Sequence, residues 1–175
     1  MAALTLPIAQ DQSAGDRLNG TPKVARERRE LEQVIADWES EAKRLGHHPT
    51  LMTLNTTQMI GERWAYRFVI AVSPVPEQCV LIFYGYKFAA LLDLPVKPIH
   101  SIPMIHQLPR RFVPLFSKGC ADAITPGVPV RMEGEIKRQD GRRELYRALF
   151  INFRNKPDGR SSLALGTFNF RVAPA

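Results

Sequence analysis

The sequence predicts an α+β fold with the order helix, two strands, short helices and three further strands. Period-two alternation of apolar and polar residues runs from 128 to 172 and is interrupted by Asp140-Gly141 and by Pro157-Asp158-Gly159. An apolar stripe at helical spacing lies within residues 22–46. Between these regions, two apolar runs of strand length precede a proline-rich stretch, 93–126, which permits only short helices. Together these three observations predict the order of the elements.

The first element is predicted as an amphipathic helix over residues 22–46, which follows a flexible tail of residues 1–21. Thr21 is a suitable N-cap, proline is tolerated at the first helical position, and Gly46 is of the residue type that commonly ends a helix. The apolar stripe of this helix consists of Val24, Leu31, Ile35, Trp38 and Leu45.

The surface that buries this apolar stripe determines whether the protein is a monomer or a dimer. Burying one large apolar side chain is worth roughly 1.5–3 kcal/mol, so the stripe is not expected to remain in water. The helix either packs on its own sheet as a lid or packs with a second copy across a two-fold axis, and we expect the homodimer. The outer sheet surface available to the helix consists of Leu145, Leu149, Ile151, Leu163 and Leu165.

Two strands and two helical regions follow the first helix. We predict strands over 63–72 and 79–84, a helix over 86–92, and a helical region over 104–120 whose two internal prolines limit its regularity. The first strand is expected to place on one face Trp64, Tyr66, Phe68, Ile70 and Val72.

The C-terminal quarter predicts a β-meander of three long strands. Residues 128–137 alternate, 143–154 are apolar on both faces as in a central strand, and the final strand ends at Val172. Arg147 is the most informative polar residue, because alternation places it on a face that looks covered. A buried guanidinium needs a partner, so we expect a salt bridge to Glu39 or Asp37. The functional alternative makes Arg147 a polar anchor for an acidic ligand or for a partner's carboxylate.

Composition narrows the class of protein. The chain has 175 residues, a hydrophobic share of 45% and a net charge of +7. This hydrophobic share excludes wholesale disorder, and the sequence has no apolar run of membrane-spanning length and no convincing signal peptide, so we expect no membrane association. Cys79 and Cys120 are expected to be free structural thiols in a reducing compartment, which favours the cytoplasm.

Two segments carry a resemblance to a known family. Residues 80–94, from Val80-Leu81-Ile82-Phe83-Tyr84 to Leu91-Leu92-Asp93-Leu94, resemble the second strand and the following helix of PAS domains. Met132 to Phe153, with the charged tip Lys137 to Arg143, resembles the hairpin that joins the third and fourth strands of that family. Residues 60–173 therefore look like a bacterial single-domain PAS variant with an extra helix in front.

The resemblance implies a five-stranded antiparallel sheet in which the first two strands lie beside the last, with short helices over one face. It further implies a non-catalytic module of signal transduction that binds a small ligand, a protein partner or a second copy of itself. The ligand pocket would be lined by Phe83, Tyr84, Phe88, Met104, His106, Phe112, Phe116 and Met132. Residues 93–126 depart from the family pattern, because they are richer in proline and lack a residue set that identifies a cofactor.

We expect neither a cofactor nor a metal. His100 and His106 lie in the region where haem-binding relatives carry their proximal ligand, but Pro103 and Pro109 bracket His106 and a surface histidine is the favoured interpretation. The adjacent pair His47-His48 does not have the spacing of a metal site.

Two other classes of function stay open. A nucleic-acid-binding module would use the basic hairpin residues for phosphate contacts, with binding that weakens as salt rises. Those residues are Lys137, Arg138, Arg142 and Arg143. A cone-shaped isomerase or cyclase would need a catalytic acid or histidine deep in its core, whereas Glu133, Glu135 and Glu144 are expected to point outward or to lie at a turn.

Overall fold

The computed structural model describes residues 23–51, 53–54, 61–138, 140–154 and 162–173. The predicted flexible tail, residues 1–21, and the side chain of Val24 lie outside what is described. The α-helices are α1 (Lys23–Leu45), α2 (Tyr86–Leu92), α3 (Met104–Gln107) and α4 (Val113–Asp122). The strands are β1 (Arg67–Val72), β2 (Val80–Tyr84), β3 (Pro129–Lys137), β4 (Arg143–Arg154) and β5 (Ser162–Val172).

The five strands form one antiparallel sheet in the order β2-β1-β5-β4-β3. The first two strands thus lie beside the last, which confirms the expected arrangement. The pairing of β4 with β5 extends from Glu144 opposite Val172 to Arg154 opposite Ser162. Strand β4 is central and is apolar on both faces because both faces of the sheet are covered.

The face covered by the short helices holds the larger of two apolar clusters, which we call the short-helix core. Phe68 of β1, Phe150 of β4 and Phe168 of β5 are completely buried there. They contact rings from the helical segments at centroid distances typical of aromatic pairs, such as 5.2 Å between Phe68 and Phe116. Tyr146, Ala148 and Phe150 of β4 face this core, as its alternation predicts.

The opposite face holds the second cluster, which we call the α1 cluster. Helix α1 packs on the sheet through Leu31, Ile35 and Trp38 of the predicted stripe and through Val34, which is 2% exposed; Leu45, also predicted in the stripe, is only half-buried and lies outside this cluster. The sheet contributes Leu149, Ile151, Phe153, Leu163 and Leu165 to this cluster. Helix α1 therefore covers its own sheet. The homodimer stays a prediction, and it would need an interface other than this buried stripe.

Two sequence-based placements on this face are wrong. Leu145 is not a member of the α1 cluster but is half-buried beside Arg147. Strand β1 begins at Arg67 rather than at 63, because Glu62–Trp64 forms a 3-10 turn and Ala65 continues with helical backbone angles. Trp64 therefore packs in the α1 cluster, opposite the face that holds Phe68.

Prolines divide the helical region 104–120 as expected. Pro109 precedes a 3-10 turn, Arg110–Phe112, and Pro114 lies in the first turn of α4, where a missing N–H costs nothing. Among the residues that the structure describes, no helix is both long and apolar enough to span a membrane.

Candidate functional site

The predicted ligand pocket is the centre of the short-helix core. Phe88, Met104, Phe112 and Phe116 have no exposed surface. Their rings pack against one another and against the sheet, with 6.0 Å between the centroids of Phe88 and Phe116. The hydroxyl of Tyr84 donates a hydrogen bond to the carbonyl of Pro95 at 2.8 Å. These side chains therefore act as packing residues in the structure.

The other residues assigned to that pocket lie elsewhere or at its margin. Phe83 projects from the opposite face and meets Trp64 edge to face at 5.6 Å, because alternation along β2 separates it from Tyr84. His106 is exposed, and Met132 is half-buried against the core. His100 is also exposed, and its Nε2 lies 3.0 Å from the carbonyl oxygen of Ile82, to which it donates. Neither imidazole is directed into the core, where a haem iron would need one.

Arg147 has a different partner from the one expected. Its Nε lies 3.4 Å from Oε2 of Glu133, which is directly opposite in the register of β3 and β4. Asp37 of α1 instead pairs with Arg67 of β1 at 2.5 Å. The expectation of a bridge from Arg147 to Glu39 or Asp37 is wrong, because the strand register places Glu133 directly opposite Arg147 and Asp37 pairs with Arg67.

The basic hairpin carries its own counter-charges. Arg142 pairs with Asp140 at 2.6 Å, and Arg143 pairs with Glu135 at 3.3 Å. Arg138 contacts both Asp140 and Glu144 at 3.3 Å. Lys137, the fourth predicted phosphate contact, is exposed. A phosphate backbone would thus have to compete with carboxylates for three of the four predicted contacts.

Glu144 corrects a second expectation. It was expected to point outward or to lie at a turn, but it has no exposed surface at the start of β4. The guanidinium Nε of Arg111 donates to its Oε2 at 2.7 Å, and Arg111 also lies 4.6 Å from the ring centre of Phe112. Arginine side chains thus cover the carboxylate of Glu144. Its role in the fold is therefore structural.

A concave site lies at the C-terminal end of β4, where α1 ends. This cavity, which we call the junction cavity, has a volume of about 440 Å³, within the range of small-molecule sites. It is lined by His47, His48, Pro49, Thr50, Pro126, Phe153 and Arg154.

Two distant segments build the cavity by pairing with the last residues of β4. The amide of Gly127 donates to the carbonyl of Asn152 at 2.8 Å, and the amide of Leu51 donates to the carbonyl of Arg154 at 3.2 Å. Asn152 is itself buried, and its Nδ2 donates to the carbonyl of Ala123 at 2.7 Å. The end of β4 is therefore a fixed platform for both segments.

Helix termination and local turns set the segment 47–50 in place. Gly46 has a φ of 73°, which few other residues adopt, and its amide donates to the carbonyl of Ala42 at 3.0 Å to end α1. Thr50 is buried, and its amide donates to Oγ1 of Thr53 at 2.8 Å. Gly127, with a φ of 76°, lies directly under the His48 ring, because a Cβ added there would lie 2.4 Å from His48 Cε1.

The lining combines a cationic side with apolar walls. Arg154 is exposed and carries a permanent charge, and His47 and His48 lie beside it. Nδ1 of His47 lies 2.8 Å from the carbonyl oxygen of His48 and donates to it, so Nε2 is the His47 atom available to a ligand. Pro49, Pro126 and Phe153 form the apolar walls.

One wall of the cavity also belongs to the α1 cluster. The ring of Phe153 meets the ring of Trp38 edge to face, with 5.8 Å between centroids. Sequence reasoning missed this site, since the segments 47–50 and 126–127 meet only through their pairing with β4. The available signal is the break His47-His48-Pro49 directly after a helix, because it places two imidazoles beside a change of chain direction. In the described ranges, no three histidine, cysteine or acidic side chains come together as a metal site.

No protein-family model and no curated protein sequence matches the chain. Among solved structures, the chain is similar to the PAS-B domain of Cycle from Drosophila melanogaster with bound ethylene glycol, at 9% identity over 61% of this chain and 99% of that one, with a TM-score of 0.38. It is also similar to the light-state LOV domain of the photoreceptor Aureochrome1, at 18% identity over 66% of this chain and 86% of that one, with a TM-score of 0.38.

A third similar structure is the PAS domain of an HTR-like protein from Haloarcula marismortui, at 14% identity over 76% of this chain and 99% of that one, with a TM-score of 0.35. The sheet order β2-β1-β5-β4-β3 and the helices between β2 and β3 are those expected from the sequence resemblance. The chain thus has a PAS-like α+β fold, with α1 as an additional helix on the outer face of the sheet.

Proposed function

We propose that the protein is a non-catalytic sensory or regulatory module in which a small ligand in the junction cavity controls the docking of α1. The observation that carries this proposal is the double role of Phe153, which lines the cavity and packs against Trp38 of α1. The output would pass from α1 and the sheet face beneath it to a protein partner or to a second copy. Two buried free thiols favour a reducing compartment such as the cytoplasm.

A ligand can shift a conformational equilibrium only if its affinity differs between the two states. Undocking of α1 would remove Trp38 from Phe153 and would release the connection 46–50 that α1 leads into. A ligand that packs on Phe153 would therefore have different contacts when α1 is docked and when it is not. This difference supplies the coupling that a sensory module needs.

Hydrogen exchange tests the proposal on the intact chain. Aromatic fragments of anionic, neutral and cationic type would be screened for binding, and exchange would be measured at residues 47–50, 152–154 and 28–45. We expect a fragment that slows exchange at the cavity segments to slow it in α1 as well, and to be recovered chemically unchanged. Fragments that bind without protecting the cavity segments would contradict the proposal.

Two variants separate coupling from simple stabilisation. Phe153→Leu removes the ring that contacts Trp38. This substitution should weaken the effect of a bound fragment on α1 more than it weakens fragment binding. Phe112→Leu removes similar volume from the short-helix core, away from the cavity, and should leave the coupling intact. Equal loss of coupling in both variants would show that α1 responds to global stability rather than to the cavity.

A further inference from the structure

Resting on the proposed function, we propose that the junction cavity binds a small anion with an apolar body, such as an aromatic carboxylate. The charged group of this ligand would be recognised by the guanidinium of Arg154, with the imidazoles of His47 and His48 beside it, and its apolar body would pack on the Phe153 wall.

Arg154 forms no ion pair with a described acidic residue, whereas three other arginines of β3 and β4 each do. Arg131 pairs with Glu32, Arg143 with Glu135, and Arg147 with Glu133. None of the seven described residues that line the cavity is acidic. The described part of the lining therefore presents a permanent positive charge and no carboxylate, which favours an anionic ligand over a cationic one.

The geometry of a guanidinium favours a planar oxyanion. Two parallel N–H donors match the two oxygens of a carboxylate, and the same fork can also bind phosphate. The apolar part of the lining decides between these ligands, because the half-buried Pro126, together with the edges of the buried Pro49 and Phe153, offers apolar surface that an inorganic phosphate cannot bury. A flat apolar ring attached to a carboxylate would use both parts of the lining.

Calorimetric titration of the full chain with three probes tests this assignment. Naphthoate carries the ring and the charge, naphthamide keeps the ring and loses the charge, and inorganic phosphate keeps only the charge. We expect naphthoate to bind at least about tenfold more tightly than either of the other probes, since charge-assisted bidentate hydrogen bonds are the strong ones.

Matched variants locate the binding. Arg154→Gln should weaken naphthoate binding by about tenfold or more, and Arg154→Lys, which keeps the charge and loses the fork, should give an intermediate loss. Arg110→Gln changes the net charge of +7 by the same amount at an exposed position outside the cavity lining, and should leave binding unchanged. Unchanged thermal unfolding of the variants would show that they are folded. If Arg154→Gln does not fold, the binding loss of Arg154→Lys decides the test.

The outcomes are distinguishable. Equal binding of naphthoate and naphthamide in the cavity would overturn the anionic assignment and leave the proposed function standing. Binding of phosphate as tight as that of naphthoate would overturn the requirement for an apolar body. Naphthoate binding that is insensitive to both Arg154 variants would overturn the role of Arg154. If no aromatic probe of any charge protects the cavity segments, the proposed function itself fails.

Discussion

The ring of Trp38 in α1 meets the ring of Phe153 in β4 edge to face, with 5.8 Å between the ring centroids. Both side chains are almost completely buried, at 3% and 1% exposure. Because Phe153 is also a wall of the junction cavity, this pair connects the cavity to the helix that covers the outer face of the sheet.

The first prediction concerns Phe153→Ala. Truncating a buried phenylalanine typically costs about 3–5 kcal/mol, and the loss here should fall on the α1 cluster. We expect a lower free energy of unfolding in urea and a native state in which Trp38 is more exposed. Emission of Trp38 can be read in a Trp64→Phe background, since these are the two tryptophans of the chain. Phe112→Ala should cost similar stability and leave the native emission of Trp38 unchanged.

The second prediction concerns the ion pair between Asp37 and Arg67, whose side chains are 15% and 7% exposed. Removing one partner of a buried pair typically costs about 3–5 kcal/mol. We expect Asp37→Ala to lose stability on this scale and the double variant Asp37→Leu with Arg67→Met to recover much of it. A loss below about 1 kcal/mol would mean that the pair behaves like an exposed one.

The strands could be predicted from the sequence because alternation and turn residues are local signals. The pattern of β4, apolar on both faces, indicated a central strand, and the structure places it between β3 and β5. The first strand was predicted too long for the same reason. Alternation continues formally through Trp64 and Tyr66, and nothing local in the sequence reveals that the backbone turns at Ala65.

The site could not be predicted because it depends on long-range pairing. His48 and Gly127 are far apart in the sequence and meet only because both segments pair with the end of β4. The partner of Arg147 could not be predicted from the sequence for a similar reason, although the pairing is between neighbouring strands. The need of Arg147 for a partner could be predicted, but the register that places Glu133 opposite it could not.

The third prediction tests the buried carboxylate of Glu144. It has no exposed surface and accepts from Arg111 at 2.7 Å and from Arg138 at 3.3 Å. Glu144→Ala should lower the free energy of unfolding by about 1.5–3 kcal/mol, because it removes charge-assisted hydrogen bonds to two arginines whose side chains are 41% and 36% exposed and can be hydrated. The matched control is Glu135→Gln, which breaks an exposed pair with Arg143 and should cost less than about 1 kcal/mol. Similar small losses in both variants would show that Glu144 is solvated in solution.

The fourth prediction concerns the thiols. A hydrogen bond from Cys120 lowers the pKa of Cys79 from 9.0 to about 6, against the opposing effect of burial. The same interaction, together with burial, raises the pKa of Cys120. Thiolate absorbance of the native protein should therefore show a single deprotonation near pH 6, which Cys79→Ala abolishes. In Cys120→Ala, the pKa of Cys79 should move up toward its ordinary value.

The same shift has a consequence for stability. The pKa of Cys79 is lower in the folded state than in the unfolded state, so its contribution to stability is present above pH 9.0 and is lost as the pH falls toward about 6. The free energy of unfolding of the wild type, relative to that of Cys79→Ala, should therefore rise with pH across this window. A flat difference would contradict the lowered pKa.

The most direct test of the central claim is an NMR titration of the isotope-labelled full chain with naphthoate, following the backbone amide of Arg154 and the indole N–H of Trp38. A ligand in the junction cavity that is coupled to α1 should move both signals with one common midpoint. Phe153→Leu should preserve the movement at Arg154 and reduce the movement at Trp38. Movement confined to residues of the short-helix core, such as Phe88 and Phe112, with Arg154 and Trp38 unchanged, would contradict the account.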